Sequence, residues 1–287
     1  MLLIDGDILT YMVGFICERR WYEHTCPVYD RVMVFQGKRD IKEYNKNLVE
    51  DVDYFMKRES DSEDKAFSVI AEIIQSWLIR FKRNKYRVFL TDTDLTNNFR
   101  YKLCKNYKAN RKGSVKPLLY DAIRHHLIKQ YSAEVVVGIE ADDALGMSQT
   151  RDTIIISKDK DLLQVPGLHY SISSNKIIRA GKIGGLALYE DGAKDKPKKK
   201  LTGHGFKWFC AQMLLGDDVD NIKGLHRVGP VGAHNILHGA KTKESAWGVV
   251  KDMYKVHKRE EDLLTNAQLL WIMKTSNDYF NEEKHCV

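Results

Sequence analysis

A chain of 287 residues, 43% hydrophobic and 30% charged, is long enough to bury one large core or two modest ones, and a soluble globular protein is expected. Its formal net charge of +7 suits a polyanionic partner. No stretch approaches the ~20 apolar residues of a membrane span, Met1–Ile4 is too short for a secretory h-region, and the scattered Cys17, Cys26, Cys104, Cys210 and Cys286 form no CxxC pair. Membrane, zinc and disulfide classes are set aside, and the reduced thiols of a cytoplasm are expected.

Leu2-Leu3-Ile4-Asp5-Gly6-Asp7 reads as a buried strand ending in an acid, with a helix over Ile8–Phe15. Asp5, at the strand tip, is the stronger ligand candidate. Asp7 divides evenly between capping that helix and a metal role. In residues 18–60, Trp21-Tyr22, Val28-Tyr29 and Val32–Phe35 have β-like composition with a turn at Gln36-Gly37, and a hairpin excursion is expected. Ser60 with Glu63 reads as a capping box. A helix follows, with Ala66, Phe67, Ile70, Ile73, Ile74, Trp77 and Phe81 on its core face.

Tyr86–Asp92 is a second strand that runs into an acid. Strand, long helix, strand is the pattern of a right-handed crossover in a parallel sheet, and such sheets bind ligands at their carboxyl ends. From Leu95 to Tyr120 no acid interrupts Arg100, Lys102, Lys105, Lys108, Arg111, Lys112 and Lys116, while Phe99, Tyr101 and Tyr107 are interleaved. A solvated basic face is the bland explanation; cations for phosphates with aromatics for bases favour nucleic acid. Pro117 then starts a helix through about Lys129, in which the adjacent His125 and His126 point to different sides and read as structural or exposed rather than as ligands.

Val135–Ala144 organises the rest. An apolar strand turns at Gly138 into a helix start that carries Glu140, Asp142 and Asp143. One acid there would merely suit the helix dipole. Three repel one another, and divalent cations are the usual compensation. Thr153–Ser157 is another strand, running into Asp159 and Asp161, whose alternation lets them share an ion. Residues 168–188 read as short strands and Lys194–Lys200 as a mobile loop. A helix over Phe206–Leu215 leads to Asp217, Asp218 and Asp220, then to Gly229 and Gly232, glycine-rich turns that present backbone N–H groups to a phosphate. The remainder is amphipathic helix, with Trp247, Trp271 and Tyr279 as packing residues.

These residues describe a parallel sheet whose strand ends carry at least six carboxylates, a basic aromatic segment beside them and a phosphate-binding hairpin after them. All-oxygen ligation selects Mg²⁺ or Mn²⁺, and two such ions about 4 Å apart hydrolyse phosphodiesters. The chain at this point resembles the flap endonuclease, or 5′-nuclease, superfamily, nearest to the bacteriophage-type 5′–3′ exonucleases. The matching stretches are Ile4–Asp7, Leu90–Asp92, Asn106–Lys112, Glu140–Asp143, Ser157–Asp161 and Gly216–Asn235, in order over residues 1–240.

The resemblance implies an α/β fold, a central mostly parallel sheet flanked by helices. It has a catalytic domain at 1–205, with an irregular or β-hairpin insertion at 18–60 and a basic arch at 95–120, and a helical region at 206–287 with a helix-hairpin-helix-like motif. It implies Asp5, Asp92, Glu140 and Asp142 as first-metal ligands with Asp143 in support, and Asp159, Asp161, Asp217 and Asp220 as the second-metal group. Lys108 and Arg111 would reach the scissile phosphate and join Asp142 as catalytic residues. Tyr107 would stack on a terminal base, and Phe99, Arg100, Lys112, Lys116, Gly229 and Gly232 would hold substrate. Two Mg²⁺, with Mn²⁺ as a substitute, and a K⁺ at the hairpin are the implied cofactors. Arg227 where a Gly is expected, and Val231 where a Lys is usual, leave the K⁺ open. The implied partners are DNA with 5′ ends, flaps or nicks, and RNA–DNA hybrid, for a monomer in a phage-infected or bacterial cytoplasm. A PIN-type ribonuclease and a non-catalytic structure-specific DNA-binding protein are the alternatives.

Overall fold

The computed structural model describes residues 1–26, 31–46, 53–111, 113–192 and 197–286. Its first strand, β1 (Leu2–Asp5), is followed without a break by α1 (Gly6–Ile16). The abruptness needs Gly6: a Cβ there would lie 2.6 Å from the Phe89 carbonyl oxygen. Asp5 rather than Asp7 caps this helix, its Oδ1 accepting the Ile8 N–H at 2.9 Å.

Residues 18–60 form more than the expected hairpin. Strands β2 (Glu18–Cys26), β3 (Arg31–Phe35) and, after α2 (Lys38–Asn45), β4 (Phe55–Ser60) make a three-stranded antiparallel sheet in the order β3-β2-β4. Val28-Tyr29 lies outside the described residues. Glu18 ties this sheet to the body, accepting from Arg58 Nε and Nη2 at 2.9 Å each and from the Leu118 N–H at 2.7 Å. The next helix, α3 (Glu63–Arg80), is capped by Ser62, not Ser60, because Ser62 is the residue whose Oγ reaches the Lys65 N–H.

Strand β5 (Tyr86–Thr91), the short helix α4 (Phe99–Leu103), α5 (Tyr120–Tyr131), β6 (Glu134–Val136), α6 (Ala141–Ser148), β7 (Ile154–Ser157), β8 (Gly167–Ser171) and β9 (Lys176–Ala180) follow. Helix α5 begins at Tyr120 rather than Pro117, after a tight turn in which the Pro117 carbonyl accepts the Tyr120 N–H. The central sheet has the order β6-β5-β1-β7-β8-β9, parallel except for the last strand. Leu2, Leu3 and Ile4 are 0% exposed, as a central parallel strand covered on both faces requires. Alternation sends Leu2 and Ile4 into a core with Leu9, Ile70, Trp77 and Ile123, and Leu3 into another with Leu145, Ile155 and Ile272. His126 stacks on Phe67 at 3.8 Å, and His125 is exposed.

After β9 come β10 (Gly185–Asp191) and β11 (Lys198–His204), an antiparallel pair. Lys198, Lys199 and Lys200 therefore lie in a strand rather than a loop: their backbones pair with Asp191, Glu190 and Tyr189, and Lys200 forms an ion pair with Asp191 at 2.6 Å. Lys194 lies outside the described residues. The C-terminal part is helical: α7 (Phe206–Leu215), the two-residue strands β12 (Gly216–Asp217) and β13 (Ile222–Lys223), α8 (Pro230–Leu237), α9 (Lys243–Val256), α10 (Glu260–Leu270) and α11 (Glu282–His285). Phe209, 0% exposed, centres its core among Trp247, Trp271 and Phe280. Tyr107, from the basic segment, is packed into that same core.

Candidate active site

The ends of β1, β5 and β7 meet the start of α6 at one edge of the sheet. Eight carboxylates (Asp5, Asp7, Glu140, Asp142, Asp159, Asp161, Asp217 and Asp220) line a cavity of about 150 Å³ there, with Tyr107, Lys108 and Arg111 on its wall. Asp5 is held by its helix cap and by Ser157 Oγ at 2.7 Å. The Ser157 Oγ also accepts the Asp159 N–H at 2.9 Å, and Asp159 Oδ1 accepts the Asp161 N–H at 2.7 Å. One chain of short bonds thus sets β1 against the loop after β7. On the other side, Asp217 Oδ1 closes its own loop through the N–H groups of Val219, at 2.8 Å, and Asp220, at 3.2 Å.

Electrostatics divide these acids. Burial and the charge of Asp7 push Asp5 up to about 7. Burial and neighbouring carboxylates also push Asp142, Asp159 and Asp161 upward. Burial would raise Glu140 as well, but Lys108 and Arg100 outweigh it and hold Glu140 at about 2. Asp161 Oδ1 is buried with no hydrogen-bond donor. Among the described residues no three acidic, histidine or cysteine side chains stand close enough, as placed, to hold an ion. Cationic side chains stand between them instead: Lys108 Nζ bonds Glu140 Oε1 and lies 3.9 Å from Asp220, and Arg111 Nη2 lies 2.5 Å from Asp220.

Asp92 and Asp143 stand apart from this ring. Asp92 turns away to accept the Asp94 N–H at 3.2 Å and borders a neighbouring groove. Asp143, 0% exposed, lies behind the site, gripped by Arg100 Nη1 at 2.6 Å and Nη2 at 2.9 Å. Arg100 is thereby removed from the expected substrate contacts. It is 2% exposed, and its remaining donors go to the Leu269 and Trp271 carbonyls at 2.9 and 2.6 Å. Tyr107 is likewise only 2% exposed, with its hydroxyl shared between Glu140 at 3.0 Å and Asp220 at 2.9 Å, so its ring faces no terminal base. Phe99 is half-buried, edge-on to Tyr279 at 4.9 Å. Lys116 is exposed, its ammonium 4.4 Å from the Tyr120 ring. Lys112 lies outside the described residues. Gly229 caps α8 and Gly232 sits in its first turn; nothing lies within 4 Å of a Cβ placed on Gly229, so the backbone there is open to a ligand.

Two arrangements escaped sequence reasoning. Asp7, one of whose two readings is a metal role, stands in the ring; the sequence gives no sign of its hold by Arg124 Nη1 at 2.8 Å and the Thr91 N–H at 3.0 Å, nor of the bond that Arg124 Nη2 donates to the Thr91 carbonyl at 2.7 Å. Arg124 sits on the buried face of a helix whose other residues gave no hint of a site. The basic segment is also docked on the second acidic loop. The Lys108 N–H donates to the Asp220 carbonyl at 2.9 Å, Asn110 Nδ2 to the Asp218 carbonyl at 2.7 Å, and Asn221 Nδ2 to the Asn106 carbonyl at 2.8 Å. The side chains that make it are two asparagines, Asn110 in the lysine-rich motif and Asn221 after the second acidic cluster.

An acid-lined cavity at the carboxyl edge of a mostly parallel sheet, bridged by a basic segment, defines an α/β class with a polyvalent charged site. The comparisons make the class specific. Residues 50–183 match the family model for the 5′–3′ exonuclease N-terminal resolvase-like domain. The 5′–3′ exonuclease of Buchnera aphidicola subsp. Acyrthosiphon pisum is 31% identical over 171 residues, 55% of this chain and 54% of that protein. The 5′–3′ exonuclease of Mycoplasmopsis pulmonis is 24% identical over 218 residues, 72% of this chain and 68% of that protein. DNA polymerase I of Streptococcus pneumoniae is 27% identical over 153 residues, 53% of this chain, and the match spans only 16% of the polymerase. Among solved structures, the bacteriophage T5 D15 protein co-crystallised with metal ions superposes with a TM-score of 0.54 at 14% identity, covering 94% of this chain and 88% of that one. The pseudo-enzyme-product complex of the bacteriophage T5 flap endonuclease with DNA and metal ions gives 0.52, with the same identity and coverage. Over residues 50–183 the chain thus matches the 5′–3′ exonuclease N-terminal resolvase-like domain, by sequence it is similar to 5′–3′ exonucleases, and the curated relatives it matches are longer than the stretch it shares with them.

Proposed function

We propose that the chain is a divalent-metal-dependent 5′–3′ exonuclease and flap endonuclease, which hydrolyses DNA, and RNA in RNA–DNA hybrids, to leave 5′-phosphates. The observation that carries this is the ring of carboxylates from four separate chain segments around one cavity, bridged by Lys108 and Arg111. The donor set fits hard cations: it is all oxygen, Asp161 Oδ1 is buried without a donor, and buried like charges raise several of these acids. Asp5, Glu140 and Asp142 would hold one Mg²⁺ or Mn²⁺, and Asp159, Asp161, Asp217 and Asp220 the second. Bound there, the pair supplies activation of water and stabilisation of the leaving 3′ oxygen.

The chain's own residues do the rest. Lys108 and Arg111 are cations already directed into the cavity, placed to meet the negative charge that develops on the phosphoryl oxygens. The docking of Asn106, Lys108 and Asn110 on residues 218–221 fixes where those charges stand. Lys116, exposed beyond them, continues a path for a strand backbone. The turn before α8, with Gly229 open, would hold the duplex and a K⁺. The test is hydrolysis of a 5′-flap duplex by the monomeric chain with Mg²⁺, Mn²⁺ or EDTA. Tight binding without cleavage in either metal would make it a structure-specific binding protein instead.

A further inference from the structure

Behind the acidic cavity lies a second one of opposite character. Leu270 and Ile272 face the carboxylates, whereas Trp271 and Lys274 face a cavity of about 240 Å³ on the far side. Its walls are the Phe206 and Trp271 rings, 6.3 Å apart, with the buried His285 also lining it. Three lysines from three separate elements, Lys182, Lys243 and Lys274, line it, and no acid does. Lys274 Nζ stands 3.2 Å from the centre of the Trp271 ring and donates to the Ile272 carbonyl at 3.1 Å; Lys243 Nζ stands 6.0 Å from the Phe206 ring. None of the three enters an ion pair among the described residues. Asp278, the nearest carboxylate, is already taken by Lys284, by His285 at 2.9 Å and by the Lys274 N–H at 3.0 Å. Burial, reinforced by Lys243 against the pull of Asp278, brings Lys274 down to about 7. A half-buried ammonium in aromatic walls, facing other cations, is costly unless an anion completes it.

We propose that this cavity is a binding site for a phosphomonoester anion, separate from the acidic site. Three ammonium groups from different segments suit a compact phosphate better than one planar carboxylate does. The cavity has room for about eight waters, more than a lone phosphate displaces, and the apolar remainder suits a sugar and base. Free inorganic phosphate, a mononucleotide and a 5′-phosphorylated strand end share this chemistry. The inference rests on the lysine cavity and stands whether or not the chain cleaves DNA.

The full-length protein is titrated in EDTA with inorganic phosphate, with dTMP, and with a short 5′-phosphorylated oligonucleotide, reading Tm and calorimetric binding. Lys274→Met and Lys243→Glu are compared with the unsubstituted chain. At least one probe is expected to raise Tm by about 3 °C or more at saturation, and both substitutions to weaken its binding about tenfold or more. Lys274→Met should itself raise Tm without ligand, because it removes an uncompensated buried charge; that gain also shows that the variant folds. The probe bound most tightly identifies the source of the phosphate. No binding by any probe at ~10 mM, an equal effect from sodium chloride at matched ionic strength, or unchanged binding in both variants would each overturn the proposal.

Discussion

The Lys108 amide donates to the Asp220 carbonyl at 2.9 Å while Lys108 is held at φ +55°, a left-handed conformation uncommon outside glycine. The basic segment and the second acidic loop are therefore one body at this point. The side chain that leaves that strained backbone enters the carboxylate ring and bonds Glu140.

Lys108→Ala is expected to slow single-turnover cleavage by about 10²-fold while weakening flap-duplex binding only about threefold. Equal losses in the two measurements would reduce Lys108 to a general phosphate contact.

Asp142→Asn is expected to cut cleavage by about three orders of magnitude with binding retained. It should also stabilise the metal-free protein. Asp5, at about 7, and Asp142, also raised, bind more protons folded than unfolded. Their contribution to stability is therefore lost as pH rises from ~4 through ~7. In EDTA, Tm should fall across that window, Mg²⁺ at pH 8 should restore it, and Asp142→Asn should flatten both effects. A Tm that rises steadily from pH 5 to pH 8 in EDTA would contradict the repulsion in the cavity.

Arg100→Ala should destabilise the fold by about 3–5 kcal/mol, because Asp143 would be left buried and uncompensated. Thermal melting checks this. A variant that melts normally but loses DNA affinity would return Arg100 to the substrate surface.

Glu18 anchors the three-stranded sheet. Burial alone would raise it, but the hydrogen bonds from Arg58 and Arg20 and the Leu118 N–H overcome that and hold it at about 2. Its stabilisation is then fully present above the ordinary carboxylate pKa and lost as pH falls from ~4.5 towards 2. Glu18→Gln should cost about 2–3 kcal/mol at pH 7 and much less at pH 3. Proteolysis within residues 18–60 is a local readout of the same change.

The sequence reveals the strands best where burial and chemistry coincide. Leu2–Asp5, Tyr86–Thr91 and Ile154–Ser157 are apolar because helices cover both faces, and each runs into an acid; Asp5 and Asp159 line the carboxylate cavity at that edge, while Asp92 borders the groove beside it. Seven of the nine acids read as metal ligands line one cavity. What the sequence hid depended on distant partners. Arg100 looks like its exposed basic neighbours until Asp143 and the 269–271 carbonyls close around it. Tyr107 looks like a stacking residue until the C-terminal core is assembled. Residues 18–60 gave little because their sheet carries charges on both faces and makes no strong alternation.

The most direct test of the account is cleavage of a 5′-flap duplex labelled at both ends of the flap strand, with Mg²⁺ and with EDTA. Mg²⁺-dependent cuts are expected, at the junction or stepwise from the 5′ end, with downstream products that carry 5′-phosphates. Cuts that persist in EDTA, or binding with no cleavage in Mg²⁺ or Mn²⁺, would contradict it.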